Sequence, residues 1–221
     1  MNETVIVVTG AIPLDLDAVA HVPPGAVVLA ADGGTDHALA AGLTPTAVVG
    51  DMDSITHDGM QWAIAHATIH RHDPAKDRTD TELALELAAA RAPDRLVLIA
   101  GGGDRLDHTL AVIGALGAPD LTSIPVIEGW WGDQHFHVLH GPGRLRLDAA
   151  QGATISLLAT HGTCSGVSIA GCTWDLLDAD LAPMSGHGVS NVAVSRDVEI
   201  TVSSGVLTVF SDPPATAKEQ T

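Results

Sequence analysis

Short runs of apolar or β-branched residues punctuate the first half of the chain: VIVVT at 5–9, AVVLA at 26–30, TAVVG at 46–50, ATIH at 67–70 and LVLIA at 96–100. Runs that are apolar without alternation suit strands buried on both faces, as in a parallel sheet. Helical segments are expected between them, at 35–41, 58–66, 80–91 and 108–116. The segment 80–91 has the best-marked ends: Thr79 and Glu82 have capping-box spacing, Leu83 and Leu87 share a face, and Pro93 follows. This β-α alternation predicts a doubly wound, mostly parallel α/β sheet.

After Pro119 the pattern changes. VIEG, QHFHVLH, RLRLDA, ATISLLAT, GVSIAG, VSNVAVS, VEITVSS and VLTVF are short, often alternate, and are separated by glycine-containing turns. No amphipathic helix pattern stands out among them, and such spacing predicts an antiparallel sandwich or barrel. The expected organisation is an α/β domain over 1–120, an all-β domain over 121–212 and a frayed tail over 213–221.

Composition narrows the function classes. The 221 residues include 10 basic and 27 acidic side chains, a formal charge of −17 that repels nucleic acid and anionic membranes. No apolar run reaches the roughly 18 residues of a membrane helix. The start, MNETVIVVTG, lacks the basic region of a signal peptide, so a cytoplasmic protein is expected. Cys164 and Cys172 have no CxxC spacing and read as two buried thiols, with a disulfide between them as the alternative.

Candidate chemistry gathers where strands end. In 47–55, AVVGDMDSI, an apolar run leads into Asp51 and Asp53, whose i, i+2 spacing points both carboxylates to one side of an extended chain. Two such charges repel unless a cation lies between them, and hard oxygen ligands suit Mg2+. A turn in which each aspartate caps local backbone N–H groups is the other reading. Asp73, Asp77 and Asp80 follow the next strand, interleaved with Lys76 and Arg78 at a helix start. Mixed charge there suits phosphate plus metal, with N-capping and a solvated charged loop as alternatives. The turn 101-GGGDRLDH-108 joins strand to helix through Gly101, Gly102 and Gly103, and 31-ADGG-34 repeats the theme with Asp32 and Gly33. Neither turn fits the G-x-G-x-x-G or Walker pattern. Four such turns on one sheet edge describe a polyphosphate site with an acidic metal cluster.

These residues also resemble a known family. ADGG (31–34), GDMDS (50–54), KDRTDTELAL (76–85) and DRLDHTLA (104–111), in this order, are similar to the motifs of the thiamine pyrophosphokinases, as are GVSIAGCTWDLL (166–177) and GHGVSNVAV (186–194). The resemblance implies an α/β domain plus a β-sandwich, and a homodimer with active sites between subunits. It further implies transfer of the pyrophosphoryl group of ATP to the hydroxyl of thiamine, giving AMP. On that footing Asp51, Asp53, Asp77 and Asp80 bind Mg2+ and one of them takes the alcohol proton. Asp32, Gly33, Gly101, Gly102, Gly103, Arg105, Asp107 and His108 hold ATP. Trp174 stacks on thiamine while Ser190 and Asn191 hydrogen-bond its aminopyrimidine. Trp130 and Trp131 are assigned to packing. Asp104, inserted within GGDRLDH, and Val112, Val192 and Ala193 depart from the family pattern. A hydroxymethylpterin pyrophosphokinase and a non-catalytic nucleotide or metal sensor of the same fold are the alternatives.

Overall fold

The computed structural model describes residues 3–10, 12–103 and 105–213; Asp104 and nearly all of the predicted tail lie outside the described residues. The first apolar run forms β1 (Thr4–Thr9), buried from Val5 onward. A short helix, α1 (Leu16–Ala20), follows, with the Asp15 carboxylate accepting the Asp17 N–H at 2.8 Å. At five residues it is too short to leave a periodic signal. Then come β2 (Val27–Ala31), α2 (Gly34–Ala40), β3 (Ala47–Gly50), α3 (His57–His66), β4 (Thr68–Arg71), α4 (Asp80–Ala89), β5 (Arg95–Ala100), α5 (Leu106–Ala115) and β6 (Val126–Trp131).

The strands lie in the order β6-β5-β1-β2-β3-β4, and each pairing is parallel. Central β1 and β5 are almost wholly buried, whereas the edge strand β4 is partly exposed. Ile6, Val8, Val97, Ile99 and Trp130 form one core face with Leu14, Val28 and Ala38. Each fully buried Val or Ile contributes about 1.5 to 3 kcal/mol relative to exposure. The capping box at α4 is complete: Thr79 Oγ1 accepts the Glu82 N–H at 3.2 Å and Glu82 Oε2 accepts the Thr79 N–H at 2.7 Å. The helix stops at Ala89, short of the expected Arg91, because Ala92 turns left-handed at φ 49° ahead of Pro93.

Compact units divide the chain as Met1–Asp133 and Gln134–Thr221. The boundary expected at 120/121 is therefore displaced, and the reason is β6. The run beginning VIEG belongs to the first unit, where Arg95↔Val126 through Ala100↔Trp131 pair it in parallel with β5. Glycine and tryptophan after an apolar start do not distinguish a sixth parallel strand from the first strand of an all-β domain.

The second unit holds β7 (Gln134–His140), β8 (Gly143–Asp148), β9 (Thr154–Ala159), β10 (Cys164–Ala170), β11 (Leu176–Leu181), β12 (Asn191–Val192), β13 (Asp197–Val202) and β14 (Val206–Ser211). One antiparallel layer runs β12-β9-β14-β7 and the other β11-β10-β13-β8. Alternation in β9 and β13 buries every second residue, and Ile155, Leu157, Val167, Ile169, Val198, Ile200 and Leu207 fill the space between layers. Both cysteines are buried free thiols, whose ionisation burial pushes up. Edge strand β11 was not expected, because LLDADL carries two aspartates and little alternation. VSNVAVS shrinks to the two residues of β12. Among the described residues no helix is long and apolar enough to cross a membrane.

Gly34 lets α2 lie against β1: a Cβ there would stand 2.6 Å from the Val8 carbonyl oxygen. Gly34→Ala should therefore lose about 1 to 3 kcal/mol of stability through overpacking, although alanine favours a helix by about 1 kcal/mol. Gly114→Ala, where a Cβ meets nothing within 4 Å, should gain about 0.5 to 1 kcal/mol. Urea unfolding of the two variants checks the opposite signs.

Candidate active site

The strands from β1 to β4 run to one side of the sheet while β5 and β6 run to the other, so the chain reverses between β1 and β5. At such a switch point the strand carboxyl ends splay apart and leave a crevice. A cavity of about 620 Å³ lies there, within the usual size for small-molecule sites. Thr9 and Gly10 line it after β1, Asp32 and Gly33 after β2, Ser54 and Thr56 after β3, and Lys76 with Arg78 to Thr81 ahead of and within α4. His108 and Val112 of α5 and Trp131 of β6 complete it.

Local backbone constraints aim the acids. Asp32 is held left-handed at φ 45°, with its N–H on the Val49 carbonyl (2.9 Å) and its carbonyl accepting the Thr35 N–H (2.9 Å). Asp32 Oδ2 accepts the Ser54 N–H at 3.1 Å, while Oδ1 is buried without a hydrogen-bond partner. Gly50 sits at φ 147°, and a Cβ there would stand 2.8 Å from Asp80 Oδ1 and 3.1 Å from the Asp32 Cβ. Only glycine lets those two aspartates close over the end of β3. Met52, at φ 70°, turns the chain between Asp51 and Asp53. Left-handed non-glycine residues cost about 1 to 3 kcal/mol each and gather where geometry serves function.

The result is a cluster of three carboxylates. One oxygen from each of Asp32, Asp51 and Asp53 lies within 4.8 Å of the others. Lys76 Nζ reaches into the group from the loop before α4, 3.1 Å from Asp51 Oδ2 and 2.9 Å from Asp80 Oδ1. Burial pushes the Asp32 carboxyl above its ordinary range, Ser54 hydrogen bonds oppose this, and the charges of Asp80 and Asp53 add to it. The Lys76 hydrogen bond pulls Asp51 below that range. For Lys76 burial acts downward, but Asp80 and Asp51 more than offset it and the ammonium is held more firmly than usual. Hard oxygen donors at this spacing, one of them buried and unsatisfied, fit a divalent cation.

The remaining predicted residues distribute unevenly. Asp77 is exposed, outside both the cluster and the cavity lining, because the loop turns Lys76 inward and its neighbour outward. Gly101 serves packing, since a Cβ would collide with the Pro13 carbonyl oxygen. Gly102 and Gly103 are consecutive left-handed residues, at φ 76° and 68°, that swing the chain from β5 to α5. Arg105 and Asp107 pair with each other on the exposed start of α5, and Arg105 holds the Asp107 carboxyl low. Only His108 of that group lines the cavity.

Trp131 was missed. Of the adjacent tryptophans, Trp130 is buried and stacks on His21 (centroids 4.8 Å apart), as assigned. Trp131, one residue on and at the carboxyl end of β6, lines the cavity instead. Strand alternation sends neighbours to opposite sides, and that signal becomes useful once β6 is placed in the parallel sheet. Thr9 and Thr81, whose buried hydroxyls hydrogen-bond each other across the cavity floor, had no motif to mark them.

In the second unit Trp174 is 62% exposed on a loop whose backbone is fixed. Asn191 Oδ1 accepts the Trp174 N–H at 3.1 Å and the Val192 N–H at 2.9 Å, and its amide donates to the Trp174 carbonyl at 2.6 Å. Asn191 is buried, and these bonds tie its side chain to the backbone of the Trp174 loop. Ser190 is exposed at φ 63°, with its N–H donated to Ser156 Oγ at 3.0 Å.

Known proteins share both halves. Residues 24–127 match the profile of the thiamin pyrophosphokinase catalytic domain, and residues 143–207 that of the thiamin pyrophosphokinase vitamin B1 binding domain. Thiamine pyrophosphokinase of Bacillus subtilis (strain 168) is 35% identical over 96 residues, a stretch that spans 43% of this chain and 45% of that protein. The crystal structure of the thiamine pyrophosphokinase from Bacillus subtilis superposes with a TM-score of 0.80 at 23% identity, covering 96% of this chain and 100% of that one. The thiamin pyrophosphokinase from Candida albicans gives 0.78 at 13% identity, covering 96% and 90%. At such identities the structural likeness establishes the fold, an α/β unit followed by a β-sandwich. With both profiles matched in order along the sequence, this chain belongs to the thiamin pyrophosphokinase family.

Proposed function

We propose that this protein transfers the pyrophosphoryl group of ATP to the hydroxyl of thiamine, yielding thiamine diphosphate and AMP. The thiamine oxygen forms a bond to the β-phosphorus, the bond from that phosphorus to the α,β-bridging oxygen breaks, and the alcohol proton leaves to a base. The observation that carries the reading is the Asp32, Asp51 and Asp53 cluster at the switch-point cavity, with one buried carboxylate oxygen unsatisfied. Those three carboxylates, with Asp80 beside them, would hold Mg2+, which when bound neutralises phosphate charge and fixes the phosphate chain.

The protein's own part is positioning and charge. Lys76, Arg78 and His108 face the cavity from two helix starts and supply positive charge or N–H donors for phosphate oxygens. Trp131 gives the cavity an aromatic wall on which a nucleotide base can stack. Trp174 offers its ring face to the cationic, aromatic thiamine, and Asn191 fixes the loop that presents it. Asp77, exposed and outside the cluster, takes no part in metal binding on this reading. The exposed Trp174, Leu177, Met184 and Val189 support a homodimer through the second unit, which sedimentation reads directly. Use of ATP fits a cytoplasmic setting.

Purified protein incubated with Mg-ATP should release AMP when thiamine is present. Release that depends on a hydroxymethylpterin instead overturns the acceptor, and nucleotide binding without turnover overturns the activity. Asp51→Asn should lower kcat by about 100-fold or more, the usual scale for losing a group aimed at transition-state charge, with unfolding still cooperative. Near-normal turnover removes Asp51 from the site. Trp174→Ala should raise the KM for thiamine and leave that for ATP unchanged. A lost cation–π contact of about 0.5 to 2 kcal/mol corresponds to roughly 2- to 30-fold.

A further inference from the structure

Lys76 stands where the acidic cluster and the nucleotide cavity meet. Its ammonium bridges Asp51 and Asp80 at 3.1 and 2.9 Å, and it also lines the cavity. Asp51 belongs at the same time to the three-carboxylate group with Asp32 and Asp53. A single positive charge thus answers one side of a group of four carboxylates. It does not reach the other side: Asp32, only 7% exposed, keeps Oδ1 without a hydrogen-bond partner. An ion that satisfied this oxygen together with Asp51 and Asp53 would compete with Lys76 for Asp51.

The support of Lys76 suits a group that changes partners. It comes from the irregular segment between β4 and α4, held by a local turn in which Asp73 Oδ1 accepts the Ala75 N–H at 2.8 Å. Arg78, two residues on, is anchored elsewhere, to Glu86 at 2.6 Å. A lysine stem carries a compact charge through four flexible carbons and can re-aim without moving the backbone.

On the metal reading proposed above, we infer that Lys76 is a built-in counter-ion of the metal site. It holds Asp51 and Asp80 while no divalent cation is bound, yields Asp51 when one arrives, and turns its ammonium to the phosphate chain of the incoming nucleotide. Cation and nucleotide binding are thereby coupled: the cation frees the charge that the phosphates need, and by reciprocity the phosphates ease cation entry.

Mn2+ binding to the nucleotide-free protein, read by electron paramagnetic resonance of the free ion, tests this. Lys76→Met, which keeps the stem and removes the charge, should bind Mn2+ about tenfold more tightly than wild type, an ordinary size for coupling between competing ligands. The tightening of Mn2+ binding by a non-hydrolysable ATP analogue, present in wild type, should shrink in the variant. Arg78→Met removes the same charge nearby without touching Asp51 and should leave Mn2+ affinity within about twofold, as expected for a screened surface charge. Lys76→Gln gives the same reading should the methionine variant fold poorly. Unchanged or weaker Mn2+ binding in the Lys76 variants overturns the inference, as does an equal gain in Arg78→Met. Wild-type AMP release separates the two levels. A protein that releases AMP and binds Mn2+, with no gain in Lys76→Met, loses only the counter-ion role. One that binds no Mn2+ and releases no AMP loses the metal site and the inference with it.

Discussion

A carboxylate kept out of water beside other carboxylates must be neutralised, by a proton or by a cation. Asp32 is placed in that position by its own backbone. The left-handed turn after β2 fixes its direction, the Ser54 N–H occupies one oxygen, and the other faces the acids with nothing to bond. The surrounding glycines follow from the same demand. Gly33 lets the Ser54 backbone approach, since a Cβ would stand 3.1 Å from its carbonyl oxygen, and Gly50 leaves room for Asp80 over the end of β3. On the proposed metal reading, a cation entering here would take the place of the proton that burial otherwise favours on Asp32.

The fold was legible to the extent that burial dictated sequence. Central strands such as VIVVT and LVLIA are buried on both faces, so every position is apolar and the run reads as a parallel strand. The capping box of α4 was equally plain, because two side chains carry the whole signal locally. Pairing partners are a different matter. The assignment of β6 depends on which strand it lies beside, and its sequence resembles an edge of either unit. For the same reason β11, with only its last residue buried, left no alternation to read.

In the site, direction was legible and division of labour was not. Asp51 and Asp53 do converge, but through the left-handed turn at Met52, in which Asp51 Oδ1 accepts the Asp53 N–H at 3.3 Å, rather than along an extended chain; Asp32 joins them from another strand end, a contact no local spacing encodes. Asp77 and Asp80 looked equivalent in KDRTD. Helix geometry separates them: Asp80 opens α4 at the cavity, while Asp77 lies in the preceding loop and faces water. Asn191 illustrates the same limit. A buried amide can meet a ligand or a backbone, and only the three-dimensional course of the Trp174 loop brings backbone groups within reach of this one.

On the proposed function, the two units would meet the requirements of their ligands by opposite means. The first arranges charges whose mutual repulsion a bound cation would relieve, and its glycines bring the acids close enough for that repulsion to matter. The second presents a large apolar ring on a loop stitched down by Asn191, Thr173 and Val192, so that little conformational freedom remains to be lost when a flat ligand stacks. Phosphate transfer needs the first kind of site, because charge changes along the reaction and a relieved repulsion can follow it. An acceptor that only has to be held in place needs the second. The acidic balance of the chain fits the proposed function as well: a field of −17 would draw in a cationic acceptor, whereas an anionic nucleotide would need local positive charge to enter. Lys76, enclosed by aspartates at the cavity edge, is where those two electrostatic demands meet.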